Sequence, residues 1–394
     1  MATRVEALVK PALLVWGRES TGLDLEAAAK KLQVSPERLS AWEGGAQRPT
    51  VKQLRKIARV YRRPIAVFYL PRPPKDFQAM HDFRRLPGEV AGGLSPELAF
   101  EIRWAQDRRE IALELHQRLY GRAPRFALRA DLANDPEKLS ESIRAELGVT
   151  LGEQFRLRHP YGPFNYWRTA IENYHSLVFQ MSGVEPSEAR AFSVSELPLP
   201  AIVVNIKDSP RARCFSLLHE LTHILLRTGG LCDLNDRSAR AGEDLKVEAF
   251  CNAVAGAALV PADALLAEPL VRRQASFEWH DSEIESLSGR FGVSQEVILR
   301  RLLALGRTTE HFYASKRLQY LERFRSQEGR EAGGFAPPFR MALSRAGDRF
   351  ARTVLASYYQ DEITASDVAE FLDVGLQHLD KIEMALQSRS EAAA

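Results

Sequence analysis

The chain has 394 residues, 45% of them apolar and 27% charged, an ordinary balance for a folded protein but too long for one domain. No uninterrupted apolar run reaches the roughly 18 residues of a membrane-spanning helix, and the opening "MATRVEALVKPALLVWGRES" lacks a secretory apolar core. The net charge of +3 hides an asymmetry, because residues 1–70 hold 13 Lys+Arg against 6 Asp+Glu, a net +7 that leaves −4 on the rest. A basic segment on an acidic body points to a polyanion at the N-terminal end. Three cysteines, Cys214, Cys232 and Cys251, make no disulfide framework, so a cytoplasmic protein is expected.

Residues 10–70 read as short helices with sharp turns. "ALLVWGRES" is apolar at helical spacing and stops at Thr21-Gly22. "DLEAAAKKL" follows with Asp24 as N-cap. The next helix is predicted over 35–44, with Ser35 as N-cap, Pro36 at the first helical position and glycines at the exit. A fourth starts behind Pro49-Thr50. Two helices joined by the two-residue turn Gln33-Val34 have helix-turn-helix geometry, in which the second helix enters the major groove. Glu37, Arg38 and Ser40 then face the groove, while Leu39 and Trp42 pack inward. Gln47, Arg48 and Thr50, at the next helix start, are placed for phosphate contact. Such folds also serve as protein-docking units, but the basic excess favours double-stranded DNA bound through residues 1–70. Readers of this kind usually bind as homodimers on palindromic sites.

Beyond the first domain, "FYLPRPPKDF" holds three prolines within four residues and is a linker. A long charged helix, "SPELAFEIRWAQDRREIALELHQRLY", follows it, and together they make a bridging region over 71–130. From 131 to 265 helices mix with two strand-like runs, "HSLVFQM" and "PAIVVNI". A helical, helix-turn-helix-like segment spans 266–333. "GFAPP" breaks the chain before a helical region over 334–394. "KKLQVSPERL" (30–39) is echoed by "GRFGVSQEVI" (289–298) and more faintly by "AEFLDVGLQHL" (369–379). The second and third copies read as economical helix joints.

The stretch "RCFSLLHELTHILLRTGG" (213–230) sets His219, Glu220 and His223 in an otherwise apolar helix. Residues four apart lie about 40° apart around a helix and about 6 Å along it, so both histidines face one point. Two neutral imidazoles there suit zinc at about 2.0–2.1 Å. Glu220 lies beside the pair, placed to take a proton from a water that the zinc acidifies, which is the H-E-x-x-H chemistry of peptide hydrolysis. Two core histidines bonded to backbone are the bland alternative, but that reading buries Glu220 without gain. A third ligand is sought in "GEDLKVEAFCNAVAGAALVP", where Glu243, Asp244 and Glu248 are available and Glu248 sits on the apolar helix itself. Cys214 and Cys251 read as small core residues, and Cys232 follows the motif. Tyr174 and His175 are named as candidate carbonyl-polarising groups only by position.

With "HELTH", "PAIVVNIKDSPRARCFSLLHE" and "EAFCNAVAGAALVP" together, the chain resembles the ImmA/IrrE metallopeptidase family fused to an N-terminal XRE-type helix-turn-helix. The resemblance covers residues 10–80 and 175–265. It implies His219, His223 and Glu248 as zinc ligands (manganese being the other ion considered) and Glu220 as general base. It also implies a mainly α, α+β fold, with a helix-turn-helix bundle, a zincin-like domain with a small sheet and a helical C-terminal region. Members typically cleave a repressor partner in stress or mobile-element control. Thr222, Cys251 and Val254 stand where the family usually has glycine, alanine and phenylalanine. None of these departures removes a ligand. The competing expectation is a transcriptional regulator whose metal domain is a non-catalytic sensor or interaction scaffold, which would have no use for Glu220.

Overall fold

The computed structural model describes residues 5–61, 63, 65–74, 95–228, 241–327 and 337–391. They fall into two compact units, one taking the described residues of Met1–Met80 and Gly88–Trp104, the other those of His81–Pro87 and Ala105–Ala394. The chain is mainly helical with one small sheet, the α+β class expected. Among the described residues no helix is long and apolar enough to cross a membrane.

In the first unit, α1 (Pro11–Glu19), α2 (Leu25–Leu32), α3 (Pro36–Glu43) and α4 (Val51–Val60) follow the sequence signals closely. Asp24 accepts from the Ala27 N–H at 2.7 Å and Ser35 from the Arg38 N–H at 3.3 Å, so both helices start where a side chain satisfies an orphan donor. The chain turns between α2 and α3 through Gln33, which takes a left-handed φ of 54°. The same device ends α13 (Asp281–Phe291) at Gly292 (φ 69°) and α18 (Ala365–Leu372) at Asp373 (φ 51°), the two sites of the sequence echo. Leu13, Leu32, Leu39, Trp42, Leu54, Ile57 and Phe68 share one core. Gly17 is required where α1 meets it, since a Cβ there would lie 3.0 Å from both the Phe68 and Tyr61 rings. Arg18 on α1 pairs with Glu43 on α3 at 2.9 Å. The helix α5 (Pro96–Tyr120) contributes residues to both units.

In the second unit, α6 (Pro136–Glu146), α7 (Leu151–Arg156) and α8 (Gly162–Asn173) precede a sheet of β1 (Leu177–Met181), β2 (Ala191–Val194) and β3 (Ala201–Asn205). The order is β1-β3-β2, with β1 parallel and β2 antiparallel to β3. β1 and β3 are the two expected strand-like runs, and β2 is a strand that the sequence pattern does not announce. Every strand residue is buried, which explains why the runs are mostly apolar rather than alternating, with Gln180, Ser193 and Asn205 the polar exceptions. Val178, Ile202 and Val204 join the large core, while the Phe179 ring meets Phe350 of α17 (Asp348–Tyr359) at 5.9 Å. Asn205 folds the β1–β2 connection, its amide donating to the Val184 and Ala189 carbonyls at 3.1 and 2.9 Å.

The helix α9 (Pro210–Leu226) packs on β2 and β3 of this sheet, and α10 (Ala241–Leu259) packs on α9 and α6. Behind them come α11 (Ala262–Ala267), α12 (Pro269–Arg273), α14 (Gln295–Ala304) and α15 (Glu310–Gln327), with α16 (Pro338–Ala346) and α19 (Leu379–Glu391) completing the C-terminal group. The end of α10 is buried, so its last carbonyls need partners other than water. Arg144 donates to Ala258 O at 2.6 Å, Gln154 to Leu259 O at 2.9 Å, and Arg301 to Val260 O at 2.8 Å. Cations at a helix C-terminus also complement its dipole. Pro261 prevents continuation. Gly256 leaves room for this cap, since a Cβ there would stand 3.1 Å from Arg301 Cδ.

Gln154 is the keystone of that cap, because it also donates to Phe291 O at 2.8 Å and accepts from Arg144 at 2.8 Å. Gln154→Ala leaves two buried carbonyls and a guanidinium N–H short of a partner, which should cost about 3 kcal/mol. The expected outcome is a lower thermal midpoint for the second unit with the first unit's unchanged. A loss below about 1 kcal/mol would show that water replaces the amide.

Candidate metal centre

The helix α9 is apolar on nearly all sides because nearly all sides are covered, with every residue from Arg213 to Leu225 buried. It begins at Ser209, which accepts from the Ala212 N–H at 3.3 Å, with Pro210 at the first helical position. Arg213 ties this first turn to the sheet, donating to Asp208 O at 2.8 Å and to the Gln180 side chain of β1 at 2.9 Å. Burial pushes its pKa down, since nothing but dipoles and distant charge replaces the lost water. The other end closes on Arg227 in a left-handed conformation (φ 59°), after which Thr228 N–H returns to His223 O at 3.2 Å.

His219 and His223 project from consecutive turns of α9 and meet Glu248 of α10. The Nε2 atoms of the histidines are 3.1 Å apart. His219 Nε2 lies 3.4 Å from Glu248 Oε2, and His223 Nε2 lies 3.0 Å from Glu248 Oε1. The histidines are buried and Glu248 is nearly so. Burial alone would raise the Glu248 pKa, but hydrogen bonding and charge from the two imidazoles more than offset it and hold the carboxyl down at about 2.

The cluster meets the test of a divalent ion. Zinc bonds of about 2.0–2.1 Å at tetrahedral angles separate ligand atoms by roughly 3.3 Å, which the observed separations bracket. Three lone-pair donors this close, out of water, repel unless a proton or a cation stands between them. Nitrogen, nitrogen and carboxylate oxygen is also a donor set that zinc favours. These are the residues that would hold the metal. His223 is oriented from behind, its Nδ1 lying 3.3 Å from the Thr228 hydroxyl.

Glu220 lies on α9 beside the cluster and is buried. Its Oε2 accepts from the Ser193 hydroxyl of β2 at 2.8 Å. Sequence reading missed both Ser193 and Thr228, because neither lies on the motif's helix. Cys214 and Cys251 are buried free thiols, each pushed up in pKa by burial, in keeping with core positions. Cys232 and the side chains of Glu243 and Asp244 lie outside the described residues. His175 accepts from Arg349 at 2.7 Å and the Tyr174 hydroxyl donates to Glu146 at 3.4 Å, so neither joins the cluster.

In the first unit, Glu37, Arg38 and Ser40 are exposed on α3, and Leu39 and Trp42 are buried beneath them. Arg38 stacks on Trp42, its guanidinium 5.5 Å from the ring centroid. Gln47 and Arg48 are exposed before α4. Thr50 is half-buried and its hydroxyl is engaged in the α4 capping box with Gln53, at 3.3 and 3.0 Å. Lys56 of α4 donates to Gln33 at the turn, at 2.7 Å.

Residues 174–303 match the family model of the IrrE N-terminal-like domain, and residues 16–68 match a helix-turn-helix model. The chain joins an XRE-type helix-turn-helix to an ImmA/IrrE-like peptidase domain. No curated protein is significantly similar to it. The peptidase match supports a metallopeptidase-type enzyme, and the helix-turn-helix supports DNA binding. The match runs through residue 303, past the 175–265 stretch on which the sequence resemblance rested, and so takes in α13 and nearly all of α14.

Two residues outside the H-E-x-x-H motif give the candidate metal centre its test. Glu248→Ala should weaken zinc binding at least about a hundredfold, and Thr228→Val, which removes only the support of His223, about tenfold. Titration against a chromogenic chelator measures both. Zinc affinity untouched by Glu248→Ala would place the third ligand elsewhere.

Proposed function

We propose that this chain is a cytoplasmic DNA-binding regulator whose peptidase domain hydrolyses a peptide bond in a partner protein, a repressor or comparable regulator, in stress or mobile-element control. The observation that carries this reading is the buried His219–His223–Glu248 triangle with a hydrogen-bonded glutamate, Glu220, beside it. A purely structural site would be satisfied by its ligands and would have no role for a buried carboxylate next to them. The metal is zinc, with manganese the alternative.

When bound, zinc would polarise the scissile carbonyl and acidify the attacking water. The rest falls to the chain's own residues. Glu220 takes the water's proton as it attacks the carbonyl carbon, and delivers that proton to the amine as the C–N bond breaks. Ser193, donating to Oε2, fixes the carboxylate's rotation so that its basic oxygen stays aimed during both transfers. Burial of the site strengthens each of these interactions relative to water. In the first unit, Glu37, Arg38 and Ser40 read bases, and Gln47 and Arg48 position the helix on phosphates. Thr50 contributes by capping α4, its N–H and its hydroxyl both donating to the Gln53 side chain.

Two experiments test the two halves. New protein N-termini, labelled after expression in the native host, should appear with the wild-type chain and vanish with Glu220→Gln, a fall of about a hundredfold or more at full zinc occupancy. Equal termini from both would leave the sensor or scaffold as the better reading. Arg48→Ala should weaken binding about equally to all duplex sequences and reduce the slope of log affinity against log salt by about one. An unchanged slope would remove Arg48 from the phosphate contacts.

A further inference from the structure

The α9 face that carries the two histidines continues beyond them. Phe215 stands one turn before His219 on the same row, with ring centroids 6.2 Å apart. Arg300 of α14 lies over this ring, its guanidinium carbon 5.7 Å from the centroid, and also 6.0 Å from the Tyr313 ring of α15. The neighbouring arginine, Arg301, is buried on a backbone carbonyl and serves the fold. Arg300 has the opposite fate, with 32% of its side chain exposed.

Its acidic neighbour is Glu296, at 3.7 Å, and Glu296 also faces Arg317 at 3.6 Å. One carboxylate is thus shared by two guanidiniums, which leaves positive charge beside the histidine row. The arrangement repeats along α15, where Lys316 and Arg323 share Asp281 at 2.6 and 3.1 Å. Partly exposed pairs of this kind hold their charges only weakly and exchange readily for a better partner. A guanidinium braced by two rings keeps its planar edge oriented for a bidentate carboxylate and loses little entropy on binding one.

We propose that Arg300, braced by Phe215 and Tyr313 and reinforced by Arg317, is a specificity subsite for an acidic side chain of the peptide substrate. An extended peptide advances about 3.3 Å per residue, so the steps from His219 to Phe215 to Arg300 put that side chain about two to four residues from the scissile bond. The inference rests on the peptidase reading above and deepens it by naming a substrate class.

The test uses binding, so that it stands apart from turnover. Zinc-loaded full-length Glu220→Gln is titrated with a fluorescent peptide library in which Asp and Glu are exchanged for Asn and Gln one position at a time. At one position the acid should bind about tenfold tighter than its amide. Arg300→Gln in the same background should abolish that preference, and Arg300→Glu should reverse it towards Lys or Arg, with zinc content unchanged to show that each variant is folded. Equal binding of acid and amide at every position, a preference that survives Arg300→Gln, or no peptide binding at all would overturn the subsite. Preferential capture of a single-stranded oligonucleotide would assign the basic, aromatic track to nucleic acid and overturn it equally. Acid-selective binding by Glu220→Gln without cleavage by the wild type would keep the subsite and refute the peptidase reading alone.

Discussion

The second unit carries one costly arrangement: two buried imidazoles and a mostly buried carboxylate within 3.4 Å of one another, with a second, buried carboxylate alongside. Burying any one of these groups without a partner costs several kcal/mol, and bringing their lone pairs together adds repulsion. A divalent cation reverses the sign of the second term. The protein must therefore hold the covered helix α9 and its neighbour α10 in fixed register, because the cluster draws side chains from both. A shift of one residue along either helix swings a ligand by about 100° and empties the triangle.

The anchoring is correspondingly redundant. The start of α9 is fixed by Ser209 and by Arg213, which reaches both the β3–α9 connection and β1. Its end is fixed where Thr228 folds back on His223, so that one residue both closes the helix through its N–H and orients the His223 ring through its hydroxyl. The C-terminal end of α10 is held by three buried side chains from three other helices. Polar groups buried for structure and polar groups buried for chemistry are therefore distinguishable by what they face. Arg144, Gln154 and Arg301 face backbone carbonyls, whereas His219, His223, Glu248 and Glu220 face one another or a hydroxyl. On the proposed reading this arrangement gives the site its precision, since rigid elements would locate the ligands to within the tolerance of a metal bond.

What could be read from the sequence was what local chemistry determines. The N-caps Asp24 and Ser35, the two-residue turn at Gln33 and the stop at Pro261 need only a few neighbouring residues to act, and the elements begin and end there. The pairing of His219 with His223 is likewise set by helical periodicity. Glu248 stands about thirty residues away, and its candidacy needed both an apolar helix face and a family resemblance. β2 was invisible because four residues, "AFSV", carry no periodicity, and the strand exists through pairing with β3. Ser193 was invisible for the same reason, since its value lies in facing Glu220 across that pairing. Thr50 shows the converse, where a residue placed by surface logic turned out to spend its hydroxyl on a helix cap. Arg300 and Arg301 are adjacent and chemically identical, and only the tertiary structure separates a buried cap from an exposed cation.

The charge asymmetry visible in the sequence gains a role once the two domains are taken together. On the proposed reading, a basic helix-turn-helix brings the chain to DNA, and the intended target of the peptidase is a protein that works on DNA as well. Tethering a weak catalytic encounter to a second binding event replaces a bulk concentration with an effective one, commonly in the millimolar range for a short connection. A protease of this kind needs little affinity for its substrate peptide and gains from having little, because tight recognition by the catalytic domain alone would expose unrelated proteins to cleavage. Shallow, shared ion pairs such as those around Arg300 suit that requirement. They discriminate by charge, contribute little binding on their own, and leave the larger part of selectivity to the domain that finds the DNA.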